Sequence, residues 1–189
     1  MADKTILWGG ELFAGYDRGD TVQELGVRAG GHGALVGVDF TRPADTTAYA
    51  AKDVVGPAVT ANLTFANVAR VNGGSGIITK ARVVTSQSAN VASYRLYLFH
   101  TAPTAIADNA PFTLLDANKD KRIGFIDIGP AATEGAGSDC AEAENDWVRK
   151  VFKCAAASRT IYGILTTQTV FTPASAQTYY VELTAIGVD

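Results

Sequence analysis

The sequence predicts an all-β protein, a β-sandwich and more specifically a jelly roll, preceded by a glycine-rich N-terminal arm. Short segments rich in β-branched and aromatic residues recur along the chain, and Gly, Pro and Asn turn signals separate them. No stretch after residue 35 keeps the helical period of about 3.6 residues. About seven to nine strands in a chain of 189 residues favour a two-sheet architecture. We therefore expect an arm at residues 1–35 and one sandwich domain at residues 36–189.

The arm differs from the rest of the chain in its glycine content. Eight of the 19 glycines lie in the first 35 residues, which leaves little side-chain volume for a core. Four large apolar residues stand among them: Trp8, Leu12, Phe13 and Tyr16. Apolar anchors on such a backbone favour a segment that docks on its own domain, on a neighbouring copy or on another protein. A loosely ordered terminus is the alternative.

Turn signals mark the ends of the expected strands. The strongest is Asn-Gly-Gly-Ser-Gly at residues 72–76. The expected strands are residues 35–40, 54–55, 63–65, 77–85, 94–100, 112–115, 123–128, 161–170 and 178–186. The last two are expected to form a hairpin across residues 173–176.

Residues 141–154 are open to two interpretations. Residues 141–144 (AEAE) have helical propensity. Residues 147–153 fit either a strand or a helical turn. We favour a strand for 147–153, because the neighbouring segments are strands.

Alternation with a period of two residues predicts which side chains face the core. Along residues 77–85 it places Ile77 and Val83 inward and Ile78 outward. The predicted core contains Leu63, Phe65, Ile77, Val83, Leu96, Leu98, Phe125, Ile164 and Leu183.

Composition and charge exclude several classes of function. The net charge is −3, the pI is about 5.4 and Lys and Arg do not cluster, so we expect no nucleic-acid partner. No apolar run has the length of a membrane span, so we expect no membrane partner, and no signal-peptide pattern opens the chain, so we expect synthesis and initial retention in a cytoplasm. In such a reducing compartment Cys140 and Cys154 are expected as thiols, with a disulfide as the alternative.

Residues 116–127 (DANKDKRIGFID) have the spacing of a calcium-binding loop. Oxygen-bearing side chains occupy its first, third, fifth and twelfth positions. The sixth position, normally glycine, is Lys121, and Arg122 follows it. Two cations beside a bound calcium would oppose it, so we predict a hairpin turn here and no metal site.

No residue pattern in the chain predicts catalysis. His32 lies among glycines in the arm, and His100 ends a strand, so neither is placed to act as a base. The acidic trio Glu142, Glu144 and Asp146 reads as solvated surface. Five aromatic residues could stack on sugars, although such residues more often pack in cores or interfaces: Tyr94, Tyr97, Tyr162, Tyr179 and Trp147. We therefore predict no catalytic, cofactor-binding or metal-binding residue, and no enzyme.

Five segments occur in an order that resembles a family of small structural proteins of tailed bacteriophages, encoded near the head genes. They are residues 42–56 (RPADTTAYAAKDVVG), 70–78 (RVNGGSGII), 95–99 (RLYLF), 107–112 (ADNAPF) and 171–173 (FTP). The resemblance covers residues 35–189 and rests on turns and strand edges, which mark a fold rather than a chemistry. The glycine-rich arm lies outside it.

The resemblance implies a virion component, specifically a capsid decoration or cement protein. Its partner would be the major capsid protein, and it would bind as a homo-oligomer, a trimer at threefold positions of the head. Assembly would take place in the host bacterial cytoplasm. A carbohydrate-binding or receptor-binding module of a head fibre or tail is the alternative, and a polysaccharide-cleaving enzyme is a third class that this short chain disfavours.

Deleting residues 1–34 tests the arm. We expect the truncated protein to fold, because glycine-rich residues contribute little to a core, but to lose its oligomer or its binding to heads. Circular dichroism and sedimentation measure the two properties. Unchanged assembly would make the arm a loose terminus, and loss of folding would place it within the domain.

Overall fold

The computed structural model describes residues 6–8, 11–13, 33–58 and 61–188, and within them the protein is all-β, as predicted. One 3-10 turn at Asp116–Asn118 accompanies twelve strands. No helix in these ranges is long and apolar enough to cross a membrane. The strands are β1 (Ile6–Trp8), β2 (Glu11–Phe13), β3 (Gly33–Thr41), β4 (Asn62–Phe65), β5 (Ser75–Thr85), β6 (Tyr94–Phe99), β7 (Arg122–Ile128), β8 (Ala132–Thr133), β9 (Ala141–Asn145), β10 (Lys150–Lys153), β11 (Ile161–Thr167) and β12 (Thr178–Gly187).

Two antiparallel sheets form the sandwich. The larger sheet has the order β3-β12-β5-β9-β8, and β10 pairs with the beginning of β5. The smaller sheet has the order β4-β11-β6-β7. A separate two-stranded sheet consists of β1 and β2. The predicted β-sandwich is therefore confirmed.

Successive strands alternate between the two sheets, with one exception. We number the long strands from β3, count β9 and β10 as one interrupted strand and leave out the two-residue strand β8. The strand order of the larger sheet is then 1-8-3-6, and that of the smaller sheet is 2-7-4-5. Among these eight strands, β6 and β7 are the one consecutive pair that is joined directly by hydrogen bonds. This winding places the core between the sheets and most connections across the ends of the sandwich.

The predicted hairpin of residues 161–170 and 178–186 is wrong, because β11 and β12 lie in different sheets. The segment between them crosses an end of the sandwich. There Phe171 forms a β-bridge with Tyr49, and the Ala174 carbonyl accepts a hydrogen bond from Arg42 at 3.2 Å. These contacts hold the segment against another crossing connection instead of in a tight turn.

Most of the predicted core is confirmed. Seven of the nine predicted side chains are buried: Leu63, Phe65, Val83, Leu96, Leu98, Ile164 and Leu183. Ile164 belongs to a second, smaller cluster with Val54, Ala61 and Phe99. Phe112 packs on that cluster from a loop, so residues 112–115, expected as a strand, instead form a cover.

Ile77 is half-exposed and Ile78 is buried, the reverse of the prediction. A β-bulge explains the reversal: Lys80 pairs with Thr184, but the next pair joins Ile78 to Ala185. Thr79 is the extra residue, and its hydroxyl donates a hydrogen bond to the Thr184 carbonyl at 3.3 Å. An inserted residue shifts a period of two by one position, so the inward set changes along β5.

Phe125 is the second core prediction that is wrong, since it is only half-buried. It lies beside Tyr97 on the outer side of the smaller sheet, with ring centroids 6.1 Å apart. The guanidinium of Arg95 covers its ring at 4.0 Å, and Lys150 lies 5.8 Å from the ring centroid. Cations with apolar stems shield this face, where the prediction assumed burial between the sheets.

Residues 141–145 form the strand β9, so the helical interpretation of 141–144 is wrong. Pairing with β5 buries Ala141 and Ala143 and leaves Glu142 and Glu144 toward solvent. Tertiary pairing has overridden a weak local preference. The strand favoured for 147–153 is present from Lys150.

A buried arginine joins the connections at one end of the sandwich. The Arg42 side chain is fully buried, and its Nε donates to the Tyr49 hydroxyl at 2.9 Å. Its two terminal nitrogens donate to the Asp45 carbonyl at 2.5 Å and to the Asp45 and Asp108 carboxylates at 3.0 and 3.4 Å. Every nitrogen of the buried cation thus has an acceptor, as its burial requires.

The Asp108 carboxylate completes this network. Tyr49 donates its hydroxyl hydrogen to Asp108 Oδ1 at 2.5 Å, and the Gly56 N–H donates to the same oxygen at 2.9 Å. Burial, reinforced by the bond to Asp108, raises the pKa of the Tyr49 phenol. The phenol therefore stays protonated and serves as a donor to the carboxylate.

Tyr49→Phe should lower the free energy of unfolding by about 1–3 kcal/mol, because it leaves Arg42 Nε and Asp108 with a missing partner in a buried site. Urea denaturation measures the change. Tyr162→Phe, at a half-buried tyrosine outside the network, is the control and should cost less than about 0.5 kcal/mol. Equal losses in the two variants would contradict the role given to the network.

Candidate functional site

The most exposed large apolar side chain among the described residues is Trp147, with 91% of its surface accessible. It lies in the interruption between β9 and β10, which faces the bulge of β5. The Asn145 side chain accepts a hydrogen bond from the Trp147 N–H at 3.0 Å, and the next residue, Val148, is buried. Asp146 forms an ion pair with Lys80 at 2.9 Å. Both neighbours of Trp147 are thus fixed while its indole projects into solvent.

A shallow groove of about 710 Å³, here called the Trp147 groove, lies beside the indole, between the larger sheet and the outer side of the smaller one. Its lining includes Ser93, Arg95, Asp127, Asn145, Trp147 and Gln168.

The polar groups of the Trp147 groove are largely used within the chain. Arg95 and Asp127 form a bidentate pair with distances of 2.6 and 3.0 Å. The Asn145 amide donates to the Asp127 carbonyl at 2.7 Å, and the Gln168 amide donates to the Thr166 hydroxyl at 2.9 Å. The groove is therefore a preorganised polar frame around one projecting aromatic ring, which suits an interface anchor.

The acidic trio of the sequence analysis lies on the outer face of the larger sheet in ion pairs. Lys80 contacts Glu144 at 2.5 Å as well as Asp146. The hydrogen bonds to these two carboxylates raise the pKa of the lysine, and the bond to Glu144 has the larger effect. Arg82 bridges Glu142 and Glu182, each at 3.3 Å. Carboxylates held by cations on an open sheet surface are not an acid–base pair across a cleft.

Of the five aromatic residues considered for sugar stacking, the structure leaves one fully available. Tyr94 and Tyr179 are buried, and burial raises the pKa of Tyr179 to about 12. Tyr97 and Tyr162 are half-buried and pack against the small apolar cluster. Trp147 is the one exposed member of the five. The preceding residues Asn145 and Asp146 are of turn-forming types, a signal that could have marked the break in the strand.

In the calcium-like segment, two lysines bind the side-chain oxygens that a calcium ion would need. Lys119 contacts Asp116 at 2.8 Å, and the Lys121 ammonium donates to Asn118 at 3.1 Å. The ring of His100 contacts the Asp120 carbonyl at 3.1 Å. Within the described ranges no group of three or more His, Cys, Asp or Glu residues is arranged to hold a metal.

Several other sequence predictions concern residues of which less can be said. His32 and Tyr16 lie outside the described residues, and for Trp8, Leu12 and Phe13 the backbone alone is described. Strand β3 begins at Gly33, within the segment assigned to the arm. Cys140 is half-buried and Cys154 buried, and no disulfide joins them.

Sequence reasoning missed the hairpin of β1 and β2. Its register pairs Ile6 with Phe13 and Trp8 with Glu11, and two glycines separate the strands in sequence. A Gly-Gly pair between two short apolar segments is a recognised hairpin signal. It was hidden by the overall glycine content of the arm.

No protein-family model matches the chain, and no curated protein matches it.

Calcium at millimolar concentration should change the thermal midpoint of unfolding by less than about 1 °C. The reason is that the lysines at 119 and 121 already donate hydrogen bonds to the side-chain oxygens at 116 and 118. Differential scanning fluorimetry measures this, with Asp116→Ala as the comparison. A stabilisation of many degrees that Asp116→Ala removes would show a genuine site.

Proposed function

We propose that the protein is a bacteriophage virion structural protein, a capsid decoration or cement protein that binds the major capsid protein as a homo-oligomer. The observation that carries the proposal is Trp147, exposed to 91% on a loop whose neighbours are fixed by hydrogen bonding and burial. Tryptophan dominates the binding energy of many interfaces, and an exposed indole held on a fixed loop is preorganised for such a contact. We assign the protein no catalytic role.

The strand order supports this role. An arrangement of 1-8-3-6 in one sheet and 2-7-4-5 in the other is the order of a jelly roll. We infer that the sandwich is of this type, which is common in viral capsid proteins and in lectins. The resemblance to phage structural proteins favours a role in the capsid over a role as a lectin.

The polar frame of the Trp147 groove supports a protein partner. Its carboxylates and amides are already bonded within the chain, so burying them under a partner leaves few groups without hydrogen bonds. The indole then supplies apolar contact, and the surrounding groups form a polar rim. On a head with threefold positions, a cyclic trimer is the assembly that we propose.

The alternative function, a carbohydrate-binding or receptor-binding module, is favoured by the same groove. One indole beside Asn145, Asp127 and Gln168 combines a stacking surface with hydrogen-bonding groups. Because these groups are largely committed to internal bonds, sugar binding would have to displace them, and we rank it second.

The test measures binding of the purified protein to heads assembled from the major capsid protein of the same phage genome. We expect the protein to sediment with heads, and Trp147→Ala to weaken binding by about 30-fold, the equivalent of a hot-spot loss of about 2 kcal/mol. The thermal midpoint of Trp147→Ala should be nearly unchanged, because the indole makes little contact within the protein.

Leu115→Ala, at another exposed apolar residue away from the groove, is the matched control and should bind normally. No co-sedimentation of the unaltered protein would contradict the proposal. Binding to a glycan array that Trp147→Ala abolishes would instead select the alternative.

A further inference from the structure

Strand β3 is an unprotected edge of the larger sheet. It has nine residues, and among the described strands it pairs with β12 alone, on one side. Charged residues and proline commonly protect an edge strand from pairing with another strand. Residues 33–38 (GALVGV) contain neither. Its free backbone groups are a template for an added strand.

A groove of about 420 Å³ runs along this edge. It is lined by residues 33–37 of β3 and by Ala66 and Asn67, which follow β4 in the opposite sheet. A side chain at Gly33 would meet nothing within 4 Å. The groove is therefore open over the first half of the strand and accessible to a backbone.

An apolar row begins at this edge and crosses the outer face of the larger sheet. Leu35 is 66% exposed, and the neighbouring strands contribute Ile186, Ile77 and Val151. Ile186 pairs with Ile77, and Ile77 pairs with Val151, so the three are direct cross-strand neighbours. The other half of the face carries the ion pairs of Lys80 and Arg82, so its apolar and charged parts are separate.

The chain also contains a strand pair that has no sheet to join. Within the described ranges, strands β1 and β2 pair with each other and with no other strand, and five of their six residues are large and apolar. An isolated two-stranded hairpin is marginally stable in water and needs a further strand or an apolar surface. The chain that follows it enters β3 at Gly33, directly beside Ile186 of the apolar row.

We propose that the Ile6–Phe13 hairpin of one copy adds to the free edge of β3 in a second copy and covers the apolar row beside it. The two surfaces are complementary in character: an open edge with an apolar flank, and an apolar hairpin with unpaired outer edges. Among the described residues of one chain the hairpin pairs with neither sheet, and its two outer edges match the open edge of β3, so we assign a second copy as the occupant.

The exchange is heterologous, since the hairpin and the edge are different surfaces, and such a contact gives a ring where the rotation between copies closes. The inference rests on the homo-oligomer of the proposed function and adds the contact between its copies. The test is carried out without heads, so that its failure would leave head binding by Trp147 standing.

The experiment compares the sedimentation mass of full-length variants. Leu35→Glu should weaken self-association at least about 10-fold, because it places a charge between the edge and the apolar row. Val91→Glu is the matched control, since Val91 is 68% exposed and lies on a loop beyond the other end of β5, and it should keep the mass of the unaltered protein. Val151→Glu repeats the test within the row, and thermal midpoints confirm that each variant is folded.

A mixing experiment separates exchange between copies from docking within one chain. Leu7→Glu damages the hairpin and Leu35→Glu damages the edge, so each protein alone should be a monomer. Mixed, they should form a one-to-one complex, because the intact hairpin of one meets the intact edge of the other.

Failure of the mixture to associate would overturn the proposal, and so would a monomeric unaltered protein or an oligomer that both Leu35→Glu and Val151→Glu leave intact. A row variant that lowers the thermal midpoint of a monomer would show that the hairpin docks within its own chain, which also overturns it.

Discussion

The buried guanidinium of Arg42 is the interaction on which the arrangement of the connections depends. A cation removed from water must be matched by acceptors, and here three connections contribute them. Asp45 comes from the same connection, Asp108 from the long loop between β6 and β7, and Ala174 from the crossing between β11 and β12. The requirement to satisfy one buried charge thus draws three connections to one end of the sandwich. The Thr47 N–H and Arg42 lower the pKa of the Asp45 carboxyl, so this acceptor stays ionised well into the acid range.

The alternation of apolar and polar residues was enough to predict the sandwich and most of its core. Leu96 and Leu98 alternate inward along β6 and are buried as expected, and Tyr94 continues the same buried face. One of the two failures in the core occurs where an extra residue enters a strand. Thr79 reverses the faces of β5, and no feature of its sequence marks the change, because threonine and lysine fit either face of a strand. A bulge is fixed by the partner strand, which a reading of one segment does not contain.

The candidate site was less predictable than the fold. Trp147 was among the aromatic residues considered, but exposure depends on how the strand that bears it is interrupted. The interruption arises from the pairing of β9 and β10 with the same strand β5 on either side of its bulge. Tyr94 and Tyr179 have the same sequence character as Trp147 and are buried. Local composition does not distinguish an anchor from a core residue when the strand register decides between them.

The separation of the loop at residues 146–149 from the core has a consequence for how this scaffold can diversify. The flanking strands are held by β5, and Val148 alone of the four residues is buried. Changes of length or sequence around Trp147 therefore disturb few contacts that the fold needs. If Trp147 is the contact that we propose, changes at positions 146, 147 and 149 alter recognition and leave the core cluster intact, because Val148 alone of the four belongs to that cluster.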